Sequence, residues 1–280
     1  MLIYPFCKPE GLPYLKILYF DTCLTASKFD VIMGVYSYLL QTIKNKGAGF
    51  LFLLDPDKTD IKQLKAIVPQ IEGGGADAIL VGGSTYDRDS LEEYLEEIKL
   101  STDLPVILFP GNHLQVSKNA DAVLFLSLLS GRNPLYLVEE QVRGAPLIKK
   151  YGIEPIPCGY ILVDGGRLTS VAYISNTLPI PRDKINIAKF HALTAQYFGM
   201  KFAYLEAGSG AEVPVPDEMI SSVKSYIDIP IIVGGGLKSV SLAKEKVEAG
   251  ADFVVIGNAF EGEMKIEAMV AEFARNIHLR

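Results

Sequence analysis

Cysteine is scarce in this chain. Cys7, Cys23 and Cys158 are its only three, an odd number at wide spacings with no CxxC pair. Neither a disulfide framework nor a zinc site is indicated, and a reducing, cytoplasmic setting is expected. Histidine is equally sparse. His113, His191 and His278 form no HxH or HExxH arrangement and read as surface or packing residues. No apolar run reaches the ~20 residues of a membrane span. The N-terminus lacks the basic-then-apolar order of a signal peptide. Basic charge is in deficit, with 27 Lys and Arg against 33 Asp and Glu and a formal net charge of -6. A nucleic-acid binder needs a basic face to displace counterions, so that class is disfavoured. A local anion pocket remains open, because backbone N–H groups at helix starts bind phosphate without any lysine.

What is present is apolar. Hydrophobic residues make up 49% of 280 residues, and the mean hydropathy of +0.23 is high for a chain without a membrane span. Parallel strands buried on both faces would account for it, and so would an apolar groove for a lipid substrate. From about residue 49 onward one pattern repeats: a short apolar run ends in Gly, Asp, Pro or Ser, and an amphipathic stretch follows. The runs are 50–54, 78–81, 106–109, 122–126, 156–163, 202–205, 229–233 and 253–256. Helical spacing is clearest over 60–72, where Ile61, Leu64, Ile67, Val68 and Ile71 share one face. Further helices are expected over 87–100, 182–198, 217–226, 239–249 and 262–277.

Eight such runs alternating with helices predict a (β/α)₈ barrel, whose usual size is about 250 residues. A doubly wound open sheet would carry GxGxxG after its first strand, and none is there. The third unit is the least regular. Pro110-Gly111-Asn112 follows its strand, and 114–119 is too short for a crossover helix. Residues 1–32 fit no barrel unit and read as an extension. Residues 33–280 read as a single barrel domain opening with a helix near 35–45.

In such a barrel the chemistry lies where strands end. Asp55, in Leu54-Asp55-Pro56-Asp57-Lys58, ends the first strand, and Ser84 follows Gly82-Gly83 after the second. Alone, each reads as a helix cap or a turn residue. Together, a carboxylate and a hydroxyl on adjacent strand ends suit Mg²⁺, which takes few protein oxygens beside waters and substrate phosphates. Tyr204-Leu205-Glu206-Ala207-Gly208-Ser209-Gly210 sets small residues with free N–H groups beside a Glu and a Tyr. That suits a phosphorylated polyol, with Glu206 able to take a hydroxyl proton. Gly234-Gly235-Gly236 and Gly257-Asn258 follow the seventh and eighth strands, the recurring phosphate-binding pair of barrel loops. Cys158 reads as an inert thiol.

LDPDK at 54–58, GGS at 82–84, SNTLPIPRDK at 175–184, YLEAGSG at 204–210, GGG at 234–236 and GN at 257–258 occur in this order. From about residue 49 to the C-terminus the sequence resembles the geranylgeranylglyceryl phosphate synthase family, also called PcrB-like. The resemblance implies a modified barrel whose third helix is replaced by a less regular segment. It implies Mg²⁺ at Asp55 and Ser84. It implies glycerol 1-phosphate at Tyr204, Leu205, Glu206, Ala207, Gly208, Ser209, Gly210, Gly235, Gly236, Gly257 and Asn258. The implied reaction joins that substrate to a prenyl diphosphate, geranylgeranyl diphosphate first and a longer chain such as heptaprenyl second. A homo-oligomer, dimer or hexamer, is also implied. One departure stands at Leu53, where some members carry a Lys that helps to bind glycerol phosphate.

Glu206 is then the expected acceptor of the glycerol hydroxyl proton, with Tyr204 supporting the glycerol. The tail is expected near 125–129 and 135–138. Two rivals remain. A sugar-phosphate isomerase or lyase would pair Asp55 with a second carboxylate such as Asp164. A non-catalytic phosphate-binding barrel would need neither metal nor base.

Overall fold

Eight parallel strands close in chain order into a barrel: β1 (Gly49–Leu54), β2 (Ala78–Val81), β3 (Val106–Leu108), β4 (Ala122–Leu128), β5 (Glu154–Leu162), β6 (Phe202–Glu206), β7 (Ile231–Gly234) and β8 (Phe253–Ile256). β8 pairs back onto β1, Val255 opposite Leu51. The structure is a computed structural model that describes residues 34–83, 91–257, 260 and 266–279. The expected extension 1–32 lies outside the described residues, as do Ser84 and Asn258.

The strands are apolar without alternation because both of their faces are buried. Along β1, Phe50, Phe52 and Leu54 pack outward under the helices, while Leu51 joins Leu80, Ile107, Leu124, Ile156, Phe202 and Phe253 inside the barrel. The helices are α1 (Val35–Lys46), α2 (Ile61–Gly73), α3 (Leu91–Leu100), α4 (Glu140–Tyr151), α5 (Ser170–Ser175), α6 (Ile185–Tyr197), α7 (Asp217–Lys224), α8 (Val240–Glu248) and α9 (Ile266–Ile277). Asp60 opens α2 with a reciprocal cap: its carboxylate accepts the Lys62 N–H at 2.9 Å, and the Gln63 side chain accepts the Asp60 N–H at 3.3 Å.

α1 stops the N-terminal end of the barrel. Its Leu39 is buried among the interior residues, Tyr36 meets Phe202 edge-on at 5.5 Å, and Glu154 accepts the Tyr36 N–H at 3.1 Å. At that same end one device recurs three times. Asp77, Asp121 and Asp252 each stand just before an even-numbered strand. Each accepts the N–H of a residue at or near the start of the preceding strand: Phe50 at 2.7 Å, Val106 at 2.8 Å and Ile231 at 2.8 Å. Each also holds a lysine from the helix before that strand, Lys46 at 2.6 Å, Lys99 at 2.8 Å and Lys224 at 2.6 Å. The dipeptide Ala-Asp at 76–77, 120–121 and 251–252 is its trace in the sequence.

The third unit is irregular as expected. Between β3 and β4 the chain makes only a single 3-10 turn, His113–Gln115, capped by Asn112. α5 was not anticipated: its six residues, SVAYIS, fall within a stretch without helical apolar spacing. α6 begins at Ile185 rather than 182, because Arg182 leaves the helix to donate to the carbonyls of Asp164 at 3.0 Å and Pro214 at 2.8 Å.

Candidate active site

The mouth of the barrel opens into a cavity of about 220 Å³. One side is polar and lies over the strand ends, with Asp55, Gly83, Glu206, Gly235, Gly236 and Gly257 on its wall. The other side is apolar and runs toward β4 and α4, with Phe125, Leu126, Leu128, Tyr136 and Ile148 on its wall. Of the residues where a tail groove is expected, near 125–129 and 135–138, Phe125, Leu126, Leu128 and Tyr136 are on this wall. The sequence reading missed Val116 from the third unit and Gly144 and Ile148 from α4. With only a turn between β3 and β4, no helix fills that flank, and α4 packs against the turn instead: the position of a Cβ on Gly144 lies 3.7 Å from His113 Cβ and 3.9 Å from Val116 Cγ2.

Glu206 is the last residue of β6 and is only 5% exposed. Its Oε1 accepts the Gly208 N–H at 2.6 Å. Burial pushes its carboxyl up to about 7, against the opposing pull of the Gly208 N–H and the neighbouring Tyr204 phenol. The glycines after β7 are needed here for packing. A Cβ on Gly234 would come within 2.5 Å of Tyr204 Oη and 2.6 Å of Glu206 Oε2, and one on Gly235 would run into Glu206 Oε1. Gly235 and Gly236 also have φ of +82° and +72°, the left-handed region that glycine tolerates. Gly234 is off the cavity wall, and its want of a side chain makes room for Tyr204 and Glu206. Gly257 has a packing reason too: its Cβ would lie 2.9 Å from the Leu53 carbonyl. Leu53 lines the cavity with an apolar side chain.

The YLEAGSG segment divides. Glu206, Ser209 and Gly210 reach the cavity wall, while Tyr204, Leu205, Ala207 and Gly208 are buried behind it. Tyr204 is fully buried, and burial together with the nearby Glu206 holds its phenol well above its ordinary value. Its hydroxyl faces Glu206 without the alignment of a full hydrogen bond and has no other partner among the described residues. The role expected for Tyr204 as a direct glycerol contact thus corresponds to a ring standing behind Glu206.

Asp55 sits half-buried beside Gly83. The point a Cβ on Gly83 would occupy lies 2.6 Å from Asp55 Oδ1 and 3.4 Å from Asp57 Oδ2, so two carboxylates converge there. Among the described residues no group of three or more His, Cys, Asp or Glu could hold a metal. A sparse, all-oxygen donor set at an open mouth fits Mg²⁺, which keeps several waters and binds substrate phosphates, and does not fit zinc.

His113, expected as a surface or packing residue, packs against Glu140 and also borders the cavity. Its Nδ1 lies 2.8 Å from Glu140 Oε2. His191 lies on α6 against the Ile187 carbonyl at 2.7 Å, and His278 contacts Asp77 at 2.9 Å. The Cys158 thiol is buried and pushed far up by burial, as an inert thiol should be. Asp164, the second carboxylate of the isomerase reading, is off the cavity wall and accepts the Gly166 N–H at 2.9 Å.

A sequence profile described as the PcrB family matches residues 40–276. The chain belongs to the PcrB family. Among curated proteins it is 46% identical over 234 residues to a geranylgeranylglyceryl phosphate synthase of Thermococcus gammatolerans, covering 83% of this chain and 92% of that one. It is 45% identical over 233 residues to the protein of that name from Flavobacterium johnsoniae, covering 83% and 96%. Among solved structures it superposes with a TM-score of 0.84 on (S)-3-O-geranylgeranylglyceryl phosphate synthase from Thermoplasma acidophilum, in complex with substrate sn-glycerol-1-phosphate. That pair is 36% identical, covering 88% of this chain and 99% of the other. A thiamine phosphate pyrophosphorylase from Pyrococcus furiosus, at 14% identity and a TM-score of 0.55, shares the barrel fold alone.

Proposed function

We propose that this chain is a prenyltransferase joining sn-glycerol 1-phosphate to a prenyl diphosphate, geranylgeranyl diphosphate by preference, with release of diphosphate. The observation that carries this reading is the position of Glu206, a buried carboxylate on the wall of a cavity that is polar and glycine-rich on one side and apolar on the other. One side suits a phosphorylated polyol and the other a hydrocarbon tail.

The backbone at Ser209, Gly210, Gly235, Gly236 and Gly257 would hold the glycerol phosphate. Exposed N–H groups and helix starts bind phosphate without a cationic side chain. Holding both substrates at fixed places makes the displacement effectively intramolecular. Glu206 orients the attacking hydroxyl and takes its proton, and a carboxyl near 7 is well matched to that task at neutral pH. Asp55, with Ser84 as expected from the sequence, would hold Mg²⁺. Bound there, the ion would neutralise the diphosphate and ease its departure.

We also propose a homo-oligomer, dimer or hexamer, acting in the cytoplasm. The apolar face of α6 supports a covering partner: Phe190, Tyr197 and the adjoining Phe198 are 56%, 76% and 69% exposed. Among the described residues no helix is long and apolar enough to cross a membrane.

The deciding experiment supplies purified protein with glycerol 1-phosphate and prenyl diphosphates of increasing length, with and without EDTA. Ether formation abolished by EDTA and restored by Mg²⁺ is expected, fastest with the 20-carbon donor. No product at any length would overturn the reading.

A further inference from the structure

Three rings meet where the polar and apolar sides of the cavity join. Phe109, the residue after β3, stacks on Tyr204 with centroids 5.4 Å apart and 19° between planes. Tyr160 of β5 meets Tyr204 edge-on at 5.2 Å and 74°, and lies 5.9 Å from Phe109. Tyr204 stands behind the wall, whereas Phe109 and Tyr160 are on it, together with Glu206.

The backbone of Phe109 is tied to the second loop. Its N–H donates to the Val81 carbonyl at 2.8 Å, and its own carbonyl fills the place of a Cβ on Gly82. Its ring reaches across to Tyr204, beside Glu206. One side chain therefore spans from the Gly82–Gly83 turn next to Asp55, where the diphosphate would sit, to the carboxylate that would receive the glycerol proton. On the prenyl-transfer reading, the atom that exchanges bonds would lie in this span.

In that exchange the allylic C1–O bond breaks and its electron pair leaves with the diphosphate. C1 carries positive charge until a lone pair of the glycerol oxygen forms the new C–O bond, and the hydroxyl proton passes to Glu206. Aromatic rings attract a cation through their quadrupole, more strongly where water is excluded. Aliphatic side chains of the same size would exclude water equally well and stabilise nothing. The prenyl-transfer reading above is the premise here. On it, we propose that Phe109 and Tyr160 are catalytic residues whose rings stabilise the allylic cation as diphosphate departs. Tyr204 is the positioning residue that holds both rings in place.

The test separates charge stabilisation from packing. Two unreactive probes are titrated calorimetrically into wild type, Phe109→Leu, Tyr160→Leu and Tyr160→Phe. One is a prenyl ammonium analogue, cationic at the allylic position, given with inorganic diphosphate. The other is a prenyl thiolodiphosphate, uncharged at carbon. Each Leu variant is expected to lose on the order of 10-fold in affinity for the ammonium probe and about twofold or less for the thiolodiphosphate. In turnover, kcat falls and KM for both substrates holds. Tyr160→Phe keeps its ring and binds the ammonium probe like wild type. Thermal melts of all variants establish that they fold. Equal losses for both probes, or no loss for the ammonium probe, would overturn the proposal while prenyl transfer by the wild type stood. A wild type that makes no ether would remove the prenyl-transfer reading, and this proposal with it.

Discussion

Glu206 accepts a hydrogen bond from the N–H of Gly208, two residues further along its own chain, at 2.6 Å. The strand thus ends by folding its last side chain back onto the following turn. One oxygen of the carboxylate is committed to the backbone, and the other faces Tyr204 and Gly234.

The pH dependence of Glu206 follows. As a base it works ionised, so kcat/KM rises with pH through an apparent value of about 7. Glu206→Gln removes that limb and lowers kcat by roughly 10²–10⁴-fold, the usual range for a lost general base. Glu206→Ala is expected to bind both substrates and turn over slowly. Stability moves the other way. The folded-state value is raised above that of the unfolded chain, so the contribution of this group is complete below the ordinary carboxylate range. It is lost as pH rises through about 7. Melting curves at pH 8 should therefore find Glu206→Gln more stable than wild type, and equal or lower stability would contradict the burial argument.

Gly235→Ala tests whether the glycines after β7 serve the carboxylate as well as the phosphate. A Cβ there meets Glu206 Oε1, and φ is +82°, so strain of about 1–3 kcal/mol adds to the collision. The expected result is loss of turnover together with a changed pH profile, because the carboxylate is displaced. A variant that raised only KM for glycerol 1-phosphate, with kcat and its pH limb intact, would confine Gly235 to phosphate binding.

The barrel was legible because its strands are short apolar runs at regular spacing, most of them closed by Gly, Asp or Pro. All eight runs became strands. The irregular third unit was legible for the same reason, since Pro110, Gly111 and Asn112 leave no room for a helix. The site was only partly legible. Glu206 could be found because a lone acid stood among small residues at a strand end. His113 and Glu140 could not be paired, because 27 residues separate them and only the packing of α4 on the third unit brings them together. Phe109 and Tyr160 read as ordinary strand residues, since their ring contacts depend on closure of the barrel. Gly144 and Ile148 line the cavity from α4, a helix the sequence reading did not expect between the fourth and fifth strands.

Asp77 anchors the opposite end of the barrel. It is 1% exposed and holds Phe50 N–H, Lys46 and His278. Burial alone would raise its carboxyl, but the hydrogen bonds from His278, Lys46 and the Phe50 N–H bring it below the ordinary range. This contribution to stability is present above the unfolded carboxylate value and is lost as pH falls through the lower folded one. Asp77→Ala should cost about 3–5 kcal/mol in urea unfolding at neutral pH, as removal of one partner from a buried charge cluster does. Kinetic constants at low temperature should not change, because the active site lies at the other end. A loss under about 1 kcal/mol would mean that water replaces the carboxylate without penalty.

The reach of the apolar side is set where α4 crosses the third unit. Gly144 faces the cavity, and a Cβ there would make only ordinary contacts, at 3.7 Å from His113 Cβ and 3.9 Å from Val116 Cγ2. An alanine therefore fits without strain, while a phenylalanine must project into the groove. Gly144→Phe is expected to fold, to keep its KM for glycerol 1-phosphate, and to shift the best donor toward a shorter prenyl chain. Each methylene denied burial forfeits about 0.8 kcal/mol, so two or three displaced carbons suffice to reverse a preference. Competition between 15- and 20-carbon diphosphates, read by mass spectrometry of the ether products, measures the shift directly. An unchanged product ratio would mean that the tail leaves the cavity by another route, such as past Val171 and Ile174 of α5, which also line it.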